Sequence, residues 1–187
     1  MKSAILVMAA GLSRRFKQAG AGHKLLATLE GKPILQHTLE QVKATGRDVF
    51  VVSQPDDVAI HRLTDPLSLV FCASSGLGDS IAAGVRAAKE YDGWLIALGD
   101  MPWLTTASYQ AVLKALENYR IVRPVINGVP GHPVGFQAPF YAALTALQGD
   151  TGAKEILQQN PPHTVRLEDR GCLLDVDYPE ALTGSSP

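Results

Sequence analysis

The 187-residue sequence predicts an α/β fold: one domain, built as a three-layer sandwich around a mostly parallel, mixed sheet. Three observations predict it. Apolar runs of strand length alternate with helix-period patterns, the rhythm of parallel strands joined by crossover helices. The first run, residues 3–9, is apolar almost without interruption, as expected of a strand covered on both faces. With 46% hydrophobic residues, the chain is also long enough to bury one core without metal or disulfide staples.

The elements follow in order. After the first strand, residues 10–24 are rich in Gly, Ala, Arg and Lys and read as a long loop. Pro33, a favoured first-turn residue, opens a helix. Its apolar face is Ile34, Leu35, Leu39 and Val42, and Gly46 lies just past its end. Asp48–Ser53 is the second strand, 56–64 a weak helix and 67–73 the third strand. A helix is expected over 79–90, with Ile81, Val85 and Ala88 on one stripe. The fourth strand is 93–99. The next helix is 105–119, with Val112, Leu113 and Leu116 inward. Beyond it the pattern loosens. Ile121–Ile126 and Val134–Gln137 are short extended pieces around the turn NGVPGHP. Helical stretches are expected at 138–147 and 151–159, and late short strands at 164–167 and 172–176. With no linker and no internal repeat, the expected organisation is a single domain over 1–187 with its core at about 3–182. The tail TGSSP reads as a frayed end.

Composition narrows the functions. Seventeen Lys and Arg against eighteen Asp and Glu leave no footprint for a nucleic-acid backbone. No apolar run reaches the ~18 residues of a membrane span. The stretch SAILVMAAGL mimics a short signal-peptide core, but Arg14 and Arg15 follow at once, and it reads as a buried strand. Cys72 and Cys172 lie in strand-like runs and are expected as buried free thiols in a reducing cytosol, with one disulfide left open. There is no CxxC pair for structural zinc. A cytoplasmic location follows.

In open α/β sheets, ligands bind beyond the carboxyl ends of the strands. Three loops should meet there: AAGLSRRFKQAGAGHK after the first strand, SSGLGDS after the third and DMPW after the fourth. Together they offer flexible backbone amides, Arg15, Lys24 and the carboxylate of Asp100, the equipment for a nucleoside triphosphate with Mg2+. Competing motifs fail. Gly20-Ala-Gly22 lacks the third glycine of a dinucleotide fingerprint, and GDTGAK at 149–154 has the wrong spacing for a P-loop. The segment GDSIA at 78–82 carries Ala82 where a hydrolase elbow needs Gly. Among five histidines without ligand spacing, His132 in GHP stands out.

The sequence MAAGLSRRF with Lys24 downstream, then LGDMP at 98–102, GHPVGF at 131–136 and LDVDYPEAL at 174–182, carries a signature. These segments resemble, in order, the motifs of nucleotidyltransferases with the glycosyltransferase-A-like, Rossmann-like fold. The last two resemble one branch in particular, the molybdenum cofactor cytidylyltransferases and the related guanylyltransferases. The resemblance implies transfer of CMP from CTP to the terminal phosphate of molybdopterin, with Mg2+ and release of pyrophosphate. It also implies a transient contact with a molybdoenzyme or its chaperone.

Residue roles are implied in the same way. Arg15, Lys24 and Asp100 would be catalytic, with Lys24 on the triphosphate and Arg14 a solvated neighbour. Asp100 and Asp177 would hold the metal, with Asp175 an alternative to Asp177. Ala10, Gly11, Leu12 and Ser13 would pass backbone amides close to the nucleotide. Gly76, Gly78 and Ser80 would approach base and ribose, although Ser80 reads equally as the cap of the helix at Asp79. Gly131, His132 and Pro133 would line the acceptor side. The sequence departs from the pattern at Phe16, where Met is common, at Tyr178 and Ala181, and in the insert KQAGAG, which leaves the placement of Lys24 open. Guanine-using relatives carry a second glycine where Ala10 stands. A guanylyltransferase, a nucleotidyltransferase for a sugar or polyol phosphate, and a non-catalytic molybdopterin chaperone are the alternatives. The retained Asp100, Lys24 and Arg15 argue for an enzyme.

Overall fold

All six residues of the first strand, β1 (Ser3–Met8), are buried. A run apolar on both faces belongs in the middle of a covered sheet, and β1 lies there, parallel to a strand on either side. The computed structural model describes residues 1–177 and 179–182; Tyr178 and the tail 183–187 lie outside them. After β1 come α1 (Arg14–Gln18), the short hairpin strands β2 (Thr28–Leu29) and β3 (Lys32–Pro33), α2 (Ile34–Lys43), β4 (Asp48–Ser53), α3 (Val58–Arg62) and β5 (Leu69–Phe71). Then follow α4 (Leu77–Ala87), β6 (Gly93–Leu98), α5 (Thr106–Leu116), β7 (Ile121–Ile126), β8 (Val129–Pro130) and β9 (Val134–Gln137). Next come α6 (Tyr141–Thr145), α7 (Lys154–Gln159) and β10 (His163–Arg166), and two 3-10 turns, Arg170–Leu173 and Pro179–Leu182, follow.

The main sheet runs β10-β7-β9-β6-β1-β4-β5, with β8 paired to β7. Strands β6, β1, β4 and β5 are mutually parallel, whereas β9 is antiparallel to both neighbours. The fold is therefore the expected mixed, largely parallel α/β sandwich. Strand alternation splits the core in two. Ile5, Val7, Leu95 and Ala97 meet α2 and α5 on one face. Ala4, Leu6, Met8, Trp94 and Ile96 meet α4, α6 and α7 on the other. Both cysteines are free, Cys172 buried and Cys72 half-buried. Among the described residues no helix is long and apolar enough to cross a membrane.

Several expectations need correction. The stretch 10–24 is not all loop, because α1 forms within it and anchors Phe16, 1% exposed, in the core. The helix expected from 79 begins at Leu77, so Ser80 is not its cap; its hydroxyl bonds to Ser74 and to the Gly76 carbonyl instead. Residues 172–176 form no strand. A 3-10 turn, Arg170–Leu173, is tied to the start of α5 through Asp169, whose carboxylate accepts from Thr105, Ser108 and Gly171. The helix expected over 151–159 starts only at Lys154, and the third strand is trimmed to Leu69–Phe71. The β2–β3 and β7–β8 hairpins go unread in the sequence, although Asn127-Gly128, both with positive φ, is the strongest two-residue hairpin signal.

Candidate active site

The carboxyl ends of β1, β5 and β6 converge on one edge, and the chain leaves each in a tightly held turn. After β1, Ala9 donates to the Val52 carbonyl (2.8 Å), and Ala9 and Ala10 are buried. The Gln54 side-chain amide then spans two loops, donating to the Ala10 carbonyl (2.7 Å) and to the Ser74 carbonyl (2.8 Å). Between these loops lies a cleft of about 240 Å3, lined by Ala10, Gly11, Ser13, Lys24, Ser80 and Asp100 among others. Leu12 and Gly76 line it too. Gly78 does not; its N–H donates to the Gly149 carbonyl (2.7 Å). A Cβ on Gly76 would come within 2.5 Å of the Asp150 Cα, and one on Gly78 within 2.8 Å of the Gln148 carbonyl. Close packing of the 148–150 segment thus demands both glycines. Asp79 secures that packing, accepting from Ser75 N–H and Oγ and from Gly149 N–H. The Ser75 hydrogen bonds, then that of Gly149, hold its carboxyl below the usual range.

The charged groups meet at the mouth. Lys24 Nζ donates to Asp100 Oδ2 at 2.7 Å and stands 4.0 Å from Asp177. Arg15 Nη1 lies 3.0 Å from Asp177 Oδ2. Despite the insert before it, Lys24 lies at the cleft mouth beside Asp100. Residues 175 and 177 share a side without any strand: Val176 is fully buried between them, and its N–H donates to the Asp100 carbonyl (2.9 Å). Carboxylate oxygens of Asp100, Asp175 and Asp177 all lie within 4.8 Å of one another. Three oxygen donors so close suit a hard divalent cation. Asp175 keeps one edge in solvent, yet partial burial, then the Asp100 and Asp177 charges, push it above the ordinary carboxylate range.

Besides Gln54, two residues escaped the sequence reading, His23 and Asp57. His23 Nδ1 accepts from Leu25 N–H (3.2 Å) and lies 3.3 Å from Ser13 Oγ, which places the ring proton on Nε2, 2.8 Å from Asp57. Ser13 Oγ in turn accepts the Lys24 N–H (3.1 Å). Lys24 thus hangs, through Ser13 and His23, from Asp57, the residue before α3. The expected acceptor residues separate. Gly131 serves packing, since a Cβ there would meet the Cys172 carbonyl at 2.5 Å, and Pro133 is buried. His132 faces a second cavity, where burial, then the Arg123 charge, lowers its pKa to about 4 and keeps it neutral.

Backbone amides lining a cleft, with Lys24 and Arg15 paired to a carboxylate cluster at its mouth, are groups of the kind that suit a metal-bound triphosphate. Comparison with known proteins agrees. The MobA-like NTP transferase domain matches residues 5–165. The molybdenum cofactor cytidylyltransferase of Escherichia coli is 23% identical over 94% of this chain and 91% of its own. A nicotine blue oxidoreductase of Paenarthrobacter nicotinovorans is 27% identical over 95% and 93%. In three dimensions, Rv0371c of Mycobacterium tuberculosis superposes with a TM-score of 0.84 at 21% identity, covering 98% of this chain and 99% of that one. Its manganese complex superposes at 0.70, with 20% identity over 89% and 88%. The chain belongs to the MobA-like NTP transferase family and is a nucleotidyltransferase.

Proposed function

We propose that this nucleotidyltransferase moves CMP from CTP to the terminal phosphate of molybdopterin and releases pyrophosphate, in the cytoplasm and with Mg2+. The observation that carries the reading is the meeting of Lys24, Arg15, Asp100 and Asp177 at the mouth of a cleft floored by Ala10. The E. coli relative, named a molybdenum cofactor cytidylyltransferase, supports the same nucleotide and acceptor. In the reaction, an acceptor phosphate oxygen attacks the α-phosphorus of CTP in line. One P–O bond forms, the α–β anhydride bond breaks, and pyrophosphate leaves with its electron pair. Two anions must meet, so the burden is charge and alignment. Lys24 and Arg15 bind the triphosphate, and the amides of Gly11, Leu12 and Ser13 hold its oxygens. Asp100, with Asp177 and Asp175 beside it, would hold the divalent ion, which offsets phosphate charge when bound. The product passes to a molybdoenzyme or its chaperone.

Ala10, 2% exposed, would set the base. Its methyl narrows the slot, so a purine is overpacked where a pyrimidine fits. That costs about 1–3 kcal/mol, or roughly 5- to 150-fold in discrimination. The test is pyrophosphate release with molybdopterin, Mg2+ and each of the four nucleotides. CTP should be used best, and Ala10→Gly should move the preference toward GTP while CTP use persists. A wild-type preference for GTP overturns the cytidylyl reading. No release with any nucleotide would favour the chaperone.

A further inference from the structure

Strand β4 lies between β1 and β5 in the sheet, and Gln54 is the first residue after it. Its side chain therefore stands between the two loops that carry Ala10–Ser13 and Ser74–Gly76. Its backbone carbonyl is held in the turn that follows, accepting from the Asp57 N–H (3.2 Å), with His61 Nε2 at 3.0 Å. The side-chain nitrogen meets two carbonyls at once, Ala10 at 2.7 Å and Ser74 at 2.8 Å. An amide nitrogen has two hydrogens, so both are used, and one atom sets the spacing of the loops.

These two bonds also set direction. A trans peptide is planar, and its C=O and N–H point opposite ways. On the loop after β5, the Ser74 carbonyl turns toward Gln54, and the N–H of the same peptide, that of Ser75, donates to Asp79 Oδ2 (2.9 Å). On the loop after β1, the Ala10 carbonyl turns toward Gln54, which does not line the cleft. The N–H of that peptide belongs to Gly11, which does line it, and this N–H has no hydrogen-bond partner among the described residues. The Ser75 donor is thus spent within the protein, and the Gly11 donor is left for the cleft.

We infer that Gln54 is a positioning residue for nucleotidyl transfer: it aims the Gly11 N–H at a phosphate oxygen and holds the nucleotide loops at one spacing. The inference rests on the reading that places phosphate at residues 11–13. Gln54 itself touches no substrate. Without its two donors the Ala10 carbonyl loses its partner, and a polar group of a buried residue left unmatched is costly. Rotation of the 10–11 peptide would relieve that cost by turning the carbonyl into the cleft, and glycine at position 11 offers little resistance to it. The rotated peptide presents an oxygen to phosphate where a donor is needed, so the fault is a reversed dipole and not merely a weaker bond. The side chain at 54 supplies the rigidity that the glycine lacks.

The probe is inorganic pyrophosphate with Mg2+, followed through the amide resonance of Gly11 in protein carrying isotopically labelled glycine. Gly11→Ala assigns that resonance, since a Cβ there meets no atom within 4 Å and the variant should fold. In the wild type the resonance should move on saturation with pyrophosphate. In Gln54→Met, similar in length but without a donor, it should stay near its free position, and pyrophosphate should bind at least about tenfold more weakly. Gln54→Glu, the same shape with acceptors in place of donors, should behave alike and covers the case in which methionine unfolds the loop. Gln54→Lys can again donate to two carbonyls and should restore the movement, whereas a residue that only filled space would leave the lysine and methionine variants equal. Equal movement in the wild type and the donorless variants, or equal loss in the methionine and lysine variants, overturns the inference. A wild-type resonance that does not move overturns the placement of phosphate at residues 11–13 itself, and the inference with it.

Discussion

Asp100 follows a buried strand by two residues and offers its carboxylate to Lys24 at the cleft mouth, where it supports no core packing. Asp100→Asn should therefore cut turnover by at least ~100-fold, the usual cost of one preorganised electrostatic element, while the melting temperature holds. Turnover near that of the wild type would remove Asp100 from the metal site. Asp100, Lys24, Arg15 and Asp177 were legible because their motifs sit at strand ends or in a recognisable order. His23, Asp57 and Gln54 were not, because tertiary pairing between loops gives them their roles and no spacing announces it. His23 positions Lys24 through Ser13. His23→Ala should thus lower kcat/KM for CTP by about ten- to a hundredfold, as small misplacements do, with little change in melting temperature. His23→Asn, able to accept from Leu25 N–H, should recover part of the loss. Wild-type kinetics in the alanine variant would mean that the bridge positions nothing.

At the scale of elements, strands with a complete set of neighbours were the readable ones. Asp48–Ser53, Ile121–Ile126 and Val134–Gln137 have the bounds that the apolar pattern gives. The run CLLDV misleads because Cys172 and Val176 are buried as strand residues would be, yet they reach the core from a turn and an unpaired extended stretch. The loop after β1 misleads in the other direction. Its Gly and Ala content hides Phe16, which pins α1 to the core and leaves the part beyond α1 unpacked. Residues 19–22 are exposed, and Gly20 and Gly22 take positive φ with open space around them. Limited proteolysis should cut in this stretch, and CTP with Mg2+ should slow the cut several-fold by drawing Arg15 and Lys24 onto phosphate. Equal rates with and without ligand would show that the nucleotide does not order the loop.

For the whole molecule, alternation of strands and helices was enough to give a covered, mostly parallel sheet, but not the order of its second half. Placing β9 antiparallel between β6 and β7 is decided by long-range pairing that no local pattern encodes. That placement also buries His132, with a consequence for stability. Its pKa falls from 6.5 to about 4, so between these values the unfolded chain binds a proton that the folded chain refuses. Stability is full above about pH 6.5 and falls as the pH drops toward 4, by up to about 3 kcal/mol from this group. Denaturant titrations of His132→Gln should show a shallower loss over that window, and an unchanged slope would mean that His132 is not refused its proton.

The close packing of residues 148–150 on Gly76 and Gly78 reaches further than either glycine. One end of this contact borders the cleft at Gly76 and the other continues into Thr151 and Lys154 of the second cavity. The two cavities thus share a partition, and a guest that altered its packing on one side would alter it on the other. Linkage would make any such effect mutual: the factor by which a guest of one cavity tightened binding in the other would be the same in both directions.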